Sequence, residues 1–158
     1  ERDQQQQPLT QAGVDGLLVL DLPPEESENY EGLMRKAGVA NIYLVAPTTP
    51  EARMELIVKR GAGFIYYISR EGVTGMQSQV AANLAEQVAK IRAHTKLPIA
   101  VGFGVSNPEQ AKVVAKDADG AVVGSAIVNQ IAQHGKSPDC VAKVSAFVKS
   151  LGDAIKSV

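Results

Sequence analysis

The chain has 158 residues, of which 45% are hydrophobic and 21% are charged. This composition allows a sizeable buried core in one α/β domain and excludes a chain that is disordered throughout. The formal net charge is -1, and no cluster of basic residues is present. Nucleic acid and anionic membrane surfaces are therefore not the expected partners, and a small molecule or another protein is.

No apolar run approaches the roughly 20 residues that span a bilayer, and the amino terminus lacks the charged-then-apolar order of a signal peptide. We therefore expect a cytoplasmic protein. Cys140 is the single cysteine, so it has no internal disulfide partner. Its helical spacing with Val144 favours a buried or half-buried packing role over a catalytic thiol.

Residues 1–11 are polar, rich in glutamine and interrupted by Pro8. They have no apolar face with which to pack as a helix or strand. We expect a disordered lead over residues 1–11, followed by one domain over residues 12–158.

Five short apolar runs then alternate with helical stretches. Because the runs are continuously hydrophobic, they indicate strands covered on both faces, as in a parallel sheet. The predicted strands are 16–22, 41–46, 63–68, 97–102 and 120–124.

The helical stretches have recognisable starts. Thr49 and Asn107 each precede a proline, which predicts a capping side chain followed by proline at the first helical position. In the third helix, Leu84, Val88 and Ile91 recur on one face. The predicted helices cover 25–37, 50–61, 80–94, 107–117, a stretch from residue 125, and an amphipathic helix from residue 138 that carries Val141, Val144, Phe147, Val148 and Leu151.

Five βα units and one further helix fit two folds. One is an open flavodoxin-like sheet with strand order 2-1-3-4-5, and the other is part of a TIM barrel, in which consecutive strands are neighbours. Periodicity alone leaves both folds open.

Glycine-bearing turns follow the third, fourth and fifth strands, and contain Gly75, Gly104, and Gly124 with Ser125. Glycine lets a backbone N–H approach an anion, and the start of the next helix adds partial positive charge. The turns therefore predict a phosphate site built from backbone donors. A phosphate site after the last strands is typical of the TIM barrel, whereas a flavodoxin-like sheet places it after the first strand, where residues 21–24 contain no glycine. The motifs thus favour a partial TIM barrel of five parallel βα units with an extra C-terminal helix.

Five ordered segments resemble consecutive signatures of the tryptophan synthase alpha subunit family. They are LLVLDLPPEES at 17–27, VAPTT at 45–49, GFIYYISREGVTG at 63–75, PIAVGFGVS at 98–106 and GAVVGSAIV at 120–128. The resemblance runs from about residue 12 to the C-terminus and leaves the family's first three βα units without a counterpart.

The resemblance implies a lyase that splits indole-3-glycerol phosphate into indole and glyceraldehyde 3-phosphate, and passes indole to a beta subunit. Pyridoxal phosphate would belong to that subunit, so no cofactor or metal is expected here. The implied phosphate contacts are Gly75, Gly104, Gly124 and Ser125. The positions that line the pocket or shape its mobile loop are Tyr66, Thr74, Phe103 and Leu18. Asp21 and Pro23 match positions that face the beta subunit.

Cleavage also needs a general acid and a base, which the family supplies as a glutamate and an aspartate on and after its second strand. The matched segment contains neither. Glu1, Asp3 and Glu71 lie in the polar lead or the mobile loop and are not substitutes. We therefore assign no catalytic residue and expect the isolated chain to be inactive.

Two alternatives to this function remain. A different barrel that uses indole-glycerol or phosphoribosyl substrates would need a strand-borne lysine or acid, which we do not find. A flavodoxin-like domain that binds a phosphorylated ligand or a protein stays possible at this point.

His94 and His134 end helices, where capping or solvent exposure is expected. The open edges of the first and last predicted strands favour self-association.

Overall fold

The computed structural model describes residues 9, 11–68, 77–102 and 104–158, and most of the predicted lead lies outside these residues. The described strands form one parallel sheet in the order β1-β2-β3-β4-β5. Consecutive strands are neighbours in a TIM barrel. The prediction of a partial barrel is therefore confirmed, and the flavodoxin-like order 2-1-3-4-5 is wrong.

Strands and helices alternate along the chain. The strands are β1 Gly16–Leu18, β2 Ala40–Val45, β3 Ile65–Ile68, β4 Ile99–Gly102 and β5 Gly120–Val122. The helices are α1 Glu28–Ala37, α2 Glu51–Arg60, α3 Gln77–His94, α4 Pro108–Ala115, α5 Ser125–His134 and α6 Cys140–Lys156, and a 3₁₀ turn at Pro24–Glu26 precedes α1.

The two proline-preceded helices begin differently. Asn107 caps α4 as predicted, since its side-chain oxygen accepts a hydrogen bond from the Gln110 backbone N–H at 2.9 Å. The cap predicted for Thr49 is wrong, because its hydroxyl instead accepts from the Ala46 backbone N–H at 3.0 Å. That bond closes the loop between β2 and α2, so Pro50 becomes the N-cap of α2 without a side-chain bond.

The hydrophobic core lies between the helices and one face of the sheet, here called the outer face. Alternate residues of β2, β3 and β4 point into it, and Ile65, Ile99 and Val101 are fully buried. The predicted apolar face of α3 is confirmed, since its members belong to the same cluster. The core contains Tyr43, Val45, Met54, Ile57, Val58, Ile65, Tyr67, Leu84, Val88, Ile91, Ile99, Val101, Val105, Ala111, Val114 and Leu151.

The opposite face of the sheet, here called the inner face, is less covered. Paired residues of a parallel sheet point to the same side, so the register defines this face. All its members are half-buried, and none of them belongs to the core cluster. They are Gly16, Leu18, Ala40, Ile42, Leu44, Tyr66, Ile68, Ala100, Gly102, Gly120 and Val122.

The amphipathic face predicted for α6 is only partly correct. Leu151 is buried, and Phe147 packs against the core. Val141 is 78% exposed, however, and Val148 is also exposed. Since α6 packs mainly against α4 and α5, the core reaches only part of its apolar stripe, and the flank of the stripe stays in solvent.

A buried polar cluster joins α1, β2 and α2. The Glu31 carboxylate accepts hydrogen bonds from the Ser27 hydroxyl at 2.6 Å and from the Tyr43 hydroxyl at 2.5 Å. Arg60 Nη1 lies 3.5 Å from the same Glu31 oxygen. Burial would raise the pKa of Glu31, but the two hydroxyl donors and the Arg60 charge outweigh it, so the pKa is lowered.

This lowered pKa predicts a pH-dependent stability. Because folded Glu31 binds a proton less tightly than unfolded Glu31, its contribution is complete above the ordinary pKa of 4.5 and is lost as the pH falls through the folded value. We expect Glu31→Gln to lose about 1–3 kcal/mol of unfolding free energy at neutral pH. The deficit should shrink on acidification, as measured by urea denaturation at a series of pH values. A deficit that is constant with pH would contradict the assignment.

Candidate functional site

The candidate site lies at the carboxyl ends of the strands, where parallel βα units place their ligands. Gly102 of β4 pairs with Val122 of β5. Gly104 and Gly124 each follow these partners by two residues, so both turns lie at the same edge of the sheet. The structure thus brings together two of the three predicted glycine turns. Gly75, the third, lies outside the described residues, as do Thr74 and Phe103.

Space is open in front of both described glycines. Among the described residues, no heavy atom lies within 4 Å of a Cβ atom added at Gly104 or Gly124. Gly104 has a φ of 65°, which L-residues rarely adopt, so a turn requirement accounts for this glycine. Gly124 has a φ of -111°, which lies outside the left-handed region, and no described neighbour crowds it. An open approach to the backbone is what an anion needs.

Ser125 opens α5 immediately after Gly124, its N-cap. The Gly124 carbonyl accepts hydrogen bonds from the Ile127 and Val128 N–H groups at 3.0 and 3.1 Å. The first N–H groups of a helix have no intrahelical acceptor, and they carry the positive end of the helix dipole. Ser125 is exposed, like the Gly124 that precedes it.

Tyr66 lies on the inner face, beside Leu44 and Ala100 in the register. Its ring covers Gly102: a Cβ atom at Gly102 would stand 2.7 Å from Tyr66 Cε2 and 2.9 Å from Cζ. Gly102 is therefore glycine because the tyrosine ring occupies the place of a side chain. The sequence placed Gly102 at the end of the predicted strand 97–102, and its contact with Tyr66 could not be inferred from spacing along the chain.

The inner face offers positioning but little acid–base chemistry. Leu18, the last residue of β1, pairs with Ile42 and extends this apolar surface. Within the described strands, Tyr66 is the one ionisable side chain on the inner face. The carboxylates with lowered pKa values, such as Glu31 and Asp119, lie elsewhere.

The loop between β1 and α1 carries the two residues predicted to face a protein partner. Asp21 is exposed and Pro23 half-buried, both at the carboxyl edge. A cleft of about 860 Å³ separates this loop from the loop after β2. Leu20 in the same turn is 69% exposed, and sequence reasoning missed it because it was placed inside a strand. Its exposure makes it a candidate contact for an apolar partner surface.

His94 is not the simple helix-end residue that was expected. Its side chain is 20% exposed and lies 3.5 Å from a Glu51 oxygen and 3.9 Å from a Glu55 oxygen. It therefore links the end of α3 to α2.

Across the described residues, no group of three or more His, Cys, Asp or Glu side chains is arranged to hold a metal ion. In the same residues, no helix is long and apolar enough to cross a bilayer.

The contact between Tyr66 and Gly102 can be tested with matched glycine variants. We expect Gly102→Ala to displace the Tyr66 ring and to cost about 1 kcal/mol, since the ring can move toward the open inner face. Gly124→Ala, with open space around it, should change stability by less than about 0.5 kcal/mol. Tyrosine ring chemical shifts and urea denaturation provide the two measurements. Unshifted Tyr66 resonances in Gly102→Ala would contradict the contact.

Comparison with known proteins identifies the family. The family model described as "Tryptophan synthase alpha chain" matches residues 2–156. A tryptophan synthase alpha chain of Opitutus terrae is 56% identical over 142 residues, which are 89% of this chain and 53% of that relative. The corresponding protein of Novosphingobium aromaticivorans is 45% identical over 146 residues, covering 92% of this chain and 54% of the relative.

Solved structures agree with the sequence comparison. A crystal structure of tryptophan synthase subunit alpha from Legionella pneumophila superimposes with a TM-score of 0.84 at 34% identity, covering 99% of this chain and 57% of that one. A tryptophan synthase structure from M. tuberculosis gives 0.82 at 28% identity, covering 99% and 56%. The chain spans about half the length of the relatives it matches. It belongs to the tryptophan synthase alpha chain family.

Proposed function

We propose that this chain supplies the phosphate-binding and indole-facing part of an alpha-type lyase that acts in tryptophan biosynthesis in the cytoplasm. The reaction is the cleavage of indole-3-glycerol phosphate to indole and glyceraldehyde 3-phosphate. The observation that carries the proposal is the alignment of Gly104 and Gly124 at one sheet edge, with open space before each backbone.

The phosphate group would bind at the two described turns. Gly124 and Ser125 begin α5, whose free N–H groups and dipole favour an anion without any lysine. Gly104 follows the neighbouring strand and offers its backbone from the adjacent side. Gly75 would add a third turn.

The indole end of the substrate would lie on the inner face. Tyr66 presents an aromatic ring there, and Leu18 extends the apolar surface. A flat aromatic substrate can stack on or pack against such side chains. Phe103 and Thr74 would complete this pocket.

Proton transfer would have to come from elsewhere. Cleavage requires a positioned acid and base, and the described strands carry only Tyr66 as an ionisable group on the inner face. The matched sequence also has no counterpart of the family's glutamate and aspartate. We therefore propose that the chain binds and positions the substrate, and that it is inactive alone.

Complementation provides the test of this division. The 158 residues alone should give no measurable cleavage of indole-3-glycerol phosphate. Addition of the amino-terminal three βα units of the Opitutus terrae relative should restore turnover, measured as indole released. Gly124→Asp should abolish the restored turnover by placing a negative charge in the phosphate position, whereas Ser145→Asp on the exposed side of α6 should not. Robust turnover by the isolated chain would contradict the proposal.

We also propose two protein partners. The first is a tryptophan synthase beta subunit, which would contact Asp21, Pro23 and the exposed Leu20. The second is another copy of this chain. β1 and β5 form the two edges of the described sheet, and an edge strand exposes unpaired N–H and C=O groups. A two-fold axis parallel to the strands would place β5 of each copy beside β1 of the other, which closes both edges.

Self-association should therefore depend on concentration. We expect light scattering to give a mass near twice 16.7 kDa at high concentration and a lower average mass after a tenfold dilution. The amino-terminal three units used above should compete with it, because they would cover the same edges. A constant mass of 16.7 kDa at all concentrations, without precipitation, would exclude the dimer.

A further inference from the structure

The β1–α1 loop is fastened to α2 at two points. Arg53 forms an ion pair with Glu25 in the 3₁₀ turn at 2.5 Å, and both side chains are well exposed to solvent. Seven residues later, Arg60 donates from Nη1 to the Pro24 carbonyl oxygen at 2.5 Å. Two turns of one helix therefore hold the loop that displays Leu20, Asp21 and Pro23.

The second point belongs to the buried polar cluster. The Ser27 hydroxyl lies 2.9 Å from the same Pro24 carbonyl oxygen and 2.5 Å from the Tyr43 hydroxyl. Glu31 lies behind both and accepts from Ser27 and Tyr43. Arg60 Nη1 therefore connects Pro24 to the buried Glu31 carboxylate, since it also lies 3.5 Å from that carboxylate. The single Ser27 proton can be donated to Glu31 or to Pro24, but not to both at once.

Such a cluster is an inefficient source of stability. Removal of the Glu31 carboxylate from water has a desolvation cost, although the Arg60 side chain beside it stays 29% exposed, and apolar residues of similar size often stabilise a protein equally well. What an ionic cluster adds is direction, since each hydrogen bond fixes the position of a particular atom. In this cluster, the atom whose position the contacts fix is the carbonyl oxygen of Pro24.

We infer that Arg60 and Glu31 are positioning residues for the β1–α1 loop. They hold Leu20, Asp21 and Pro23 in the orientation in which a protein partner binds. This inference rests on the beta subunit contact proposed above. The buried cluster, and not the exposed Arg53–Glu25 pair, sets this orientation, because exposed ion pairs contribute little.

The experiment separates positioning from stability. The triple variant Glu31→Leu/Tyr43→Phe/Arg60→Met replaces the cluster by apolar side chains, and Arg53→Met is the matched control. Hydrogen exchange is measured at the Glu26 and Ser27 amides, which bond to Pro23 O at 3.0 Å and Pro24 O at 3.3 Å. The Ile65 amide, bonded to Pro98 O at 2.8 Å, reports on the sheet. Arg60→Lys serves as a second variant in case the triple variant does not fold.

We expect the Glu26 and Ser27 amides to exchange about tenfold faster in the triple variant, with the Ile65 amide and the thermal midpoint unchanged. Arg60→Lys should give a smaller effect of the same kind, and Arg53→Met almost none. Unchanged exchange at Glu26 and Ser27 would overturn the inference. Equal acceleration at Ile65 would also overturn it, since the cluster would then act on the whole fold.

Partner binding is measured separately, by calorimetry with a purified tryptophan synthase beta subunit. We expect the triple variant to bind about tenfold more weakly than the unaltered chain, with Arg53→Met unaffected. Equal affinity of the triple variant would overturn the link between the loop and the partner. If the unaltered chain does not bind, the beta subunit proposal fails, while the exchange measurement still decides whether the loop is positioned by the cluster.

Discussion

The packing of helices against one face of a parallel sheet is the constraint on which the rest of this structure depends. Ile65, Ile99 and Val101 are fully buried between the sheet and the helices. Burial of one such side chain contributes about 1.5–3 kcal/mol. Because the fully buried side chains of the sheet lie on the outer face, this face supplies most of the driving force for folding. The inner face contributes little to this core, so its side chains are available for a ligand or a partner.

The inner face is divided by residue size. Leu18, Ile42, Leu44 and Ile68 are large side chains on β1, β2 and β3, although β1 and β2 begin on this face with Gly16 and Ala40. On β4 and β5, Ala100, Gly102 and Gly120 leave a low side, on which Val122 is the one large side chain. Tyr66 stands at the boundary and extends over Gly102. The low side leads directly to the open turns at Gly104 and Gly124. A substrate with an aromatic end and a phosphate end fits this arrangement, which is why the two binding functions are proposed for neighbouring strands.

The two ends of the sheet have different roles. At the amino ends of the strands, Asp119 accepts hydrogen bonds from the Ile99 backbone N–H and from Arg92, both at 2.8 Å. The Ile99 bond is the main reason that the pKa of Asp119 is lowered, so this carboxylate remains charged and joins β4, β5 and α3. At the carboxyl ends, glycine turns leave backbone groups open. In βα barrels generally, the amino ends of the strands contribute to stability and the loops at the carboxyl ends bind ligands.

The sequence by itself determined the number of βα units, the location of every described strand to within a few residues, the α4 cap at Asn107, and the family. These features depend on local periodicity, on side-chain capping chemistry and on contiguous motifs. Only the tertiary structure decided the rest. Sequential strand order excluded the open sheet, the Thr49 hydroxyl was used within a loop, and Val141 stayed exposed because the core reaches only part of α6. The Tyr66–Gly102 contact and the contacts of Glu31 with Tyr43 and Arg60 join residues far apart in the chain, and no spacing rule along a sequence specifies such contacts.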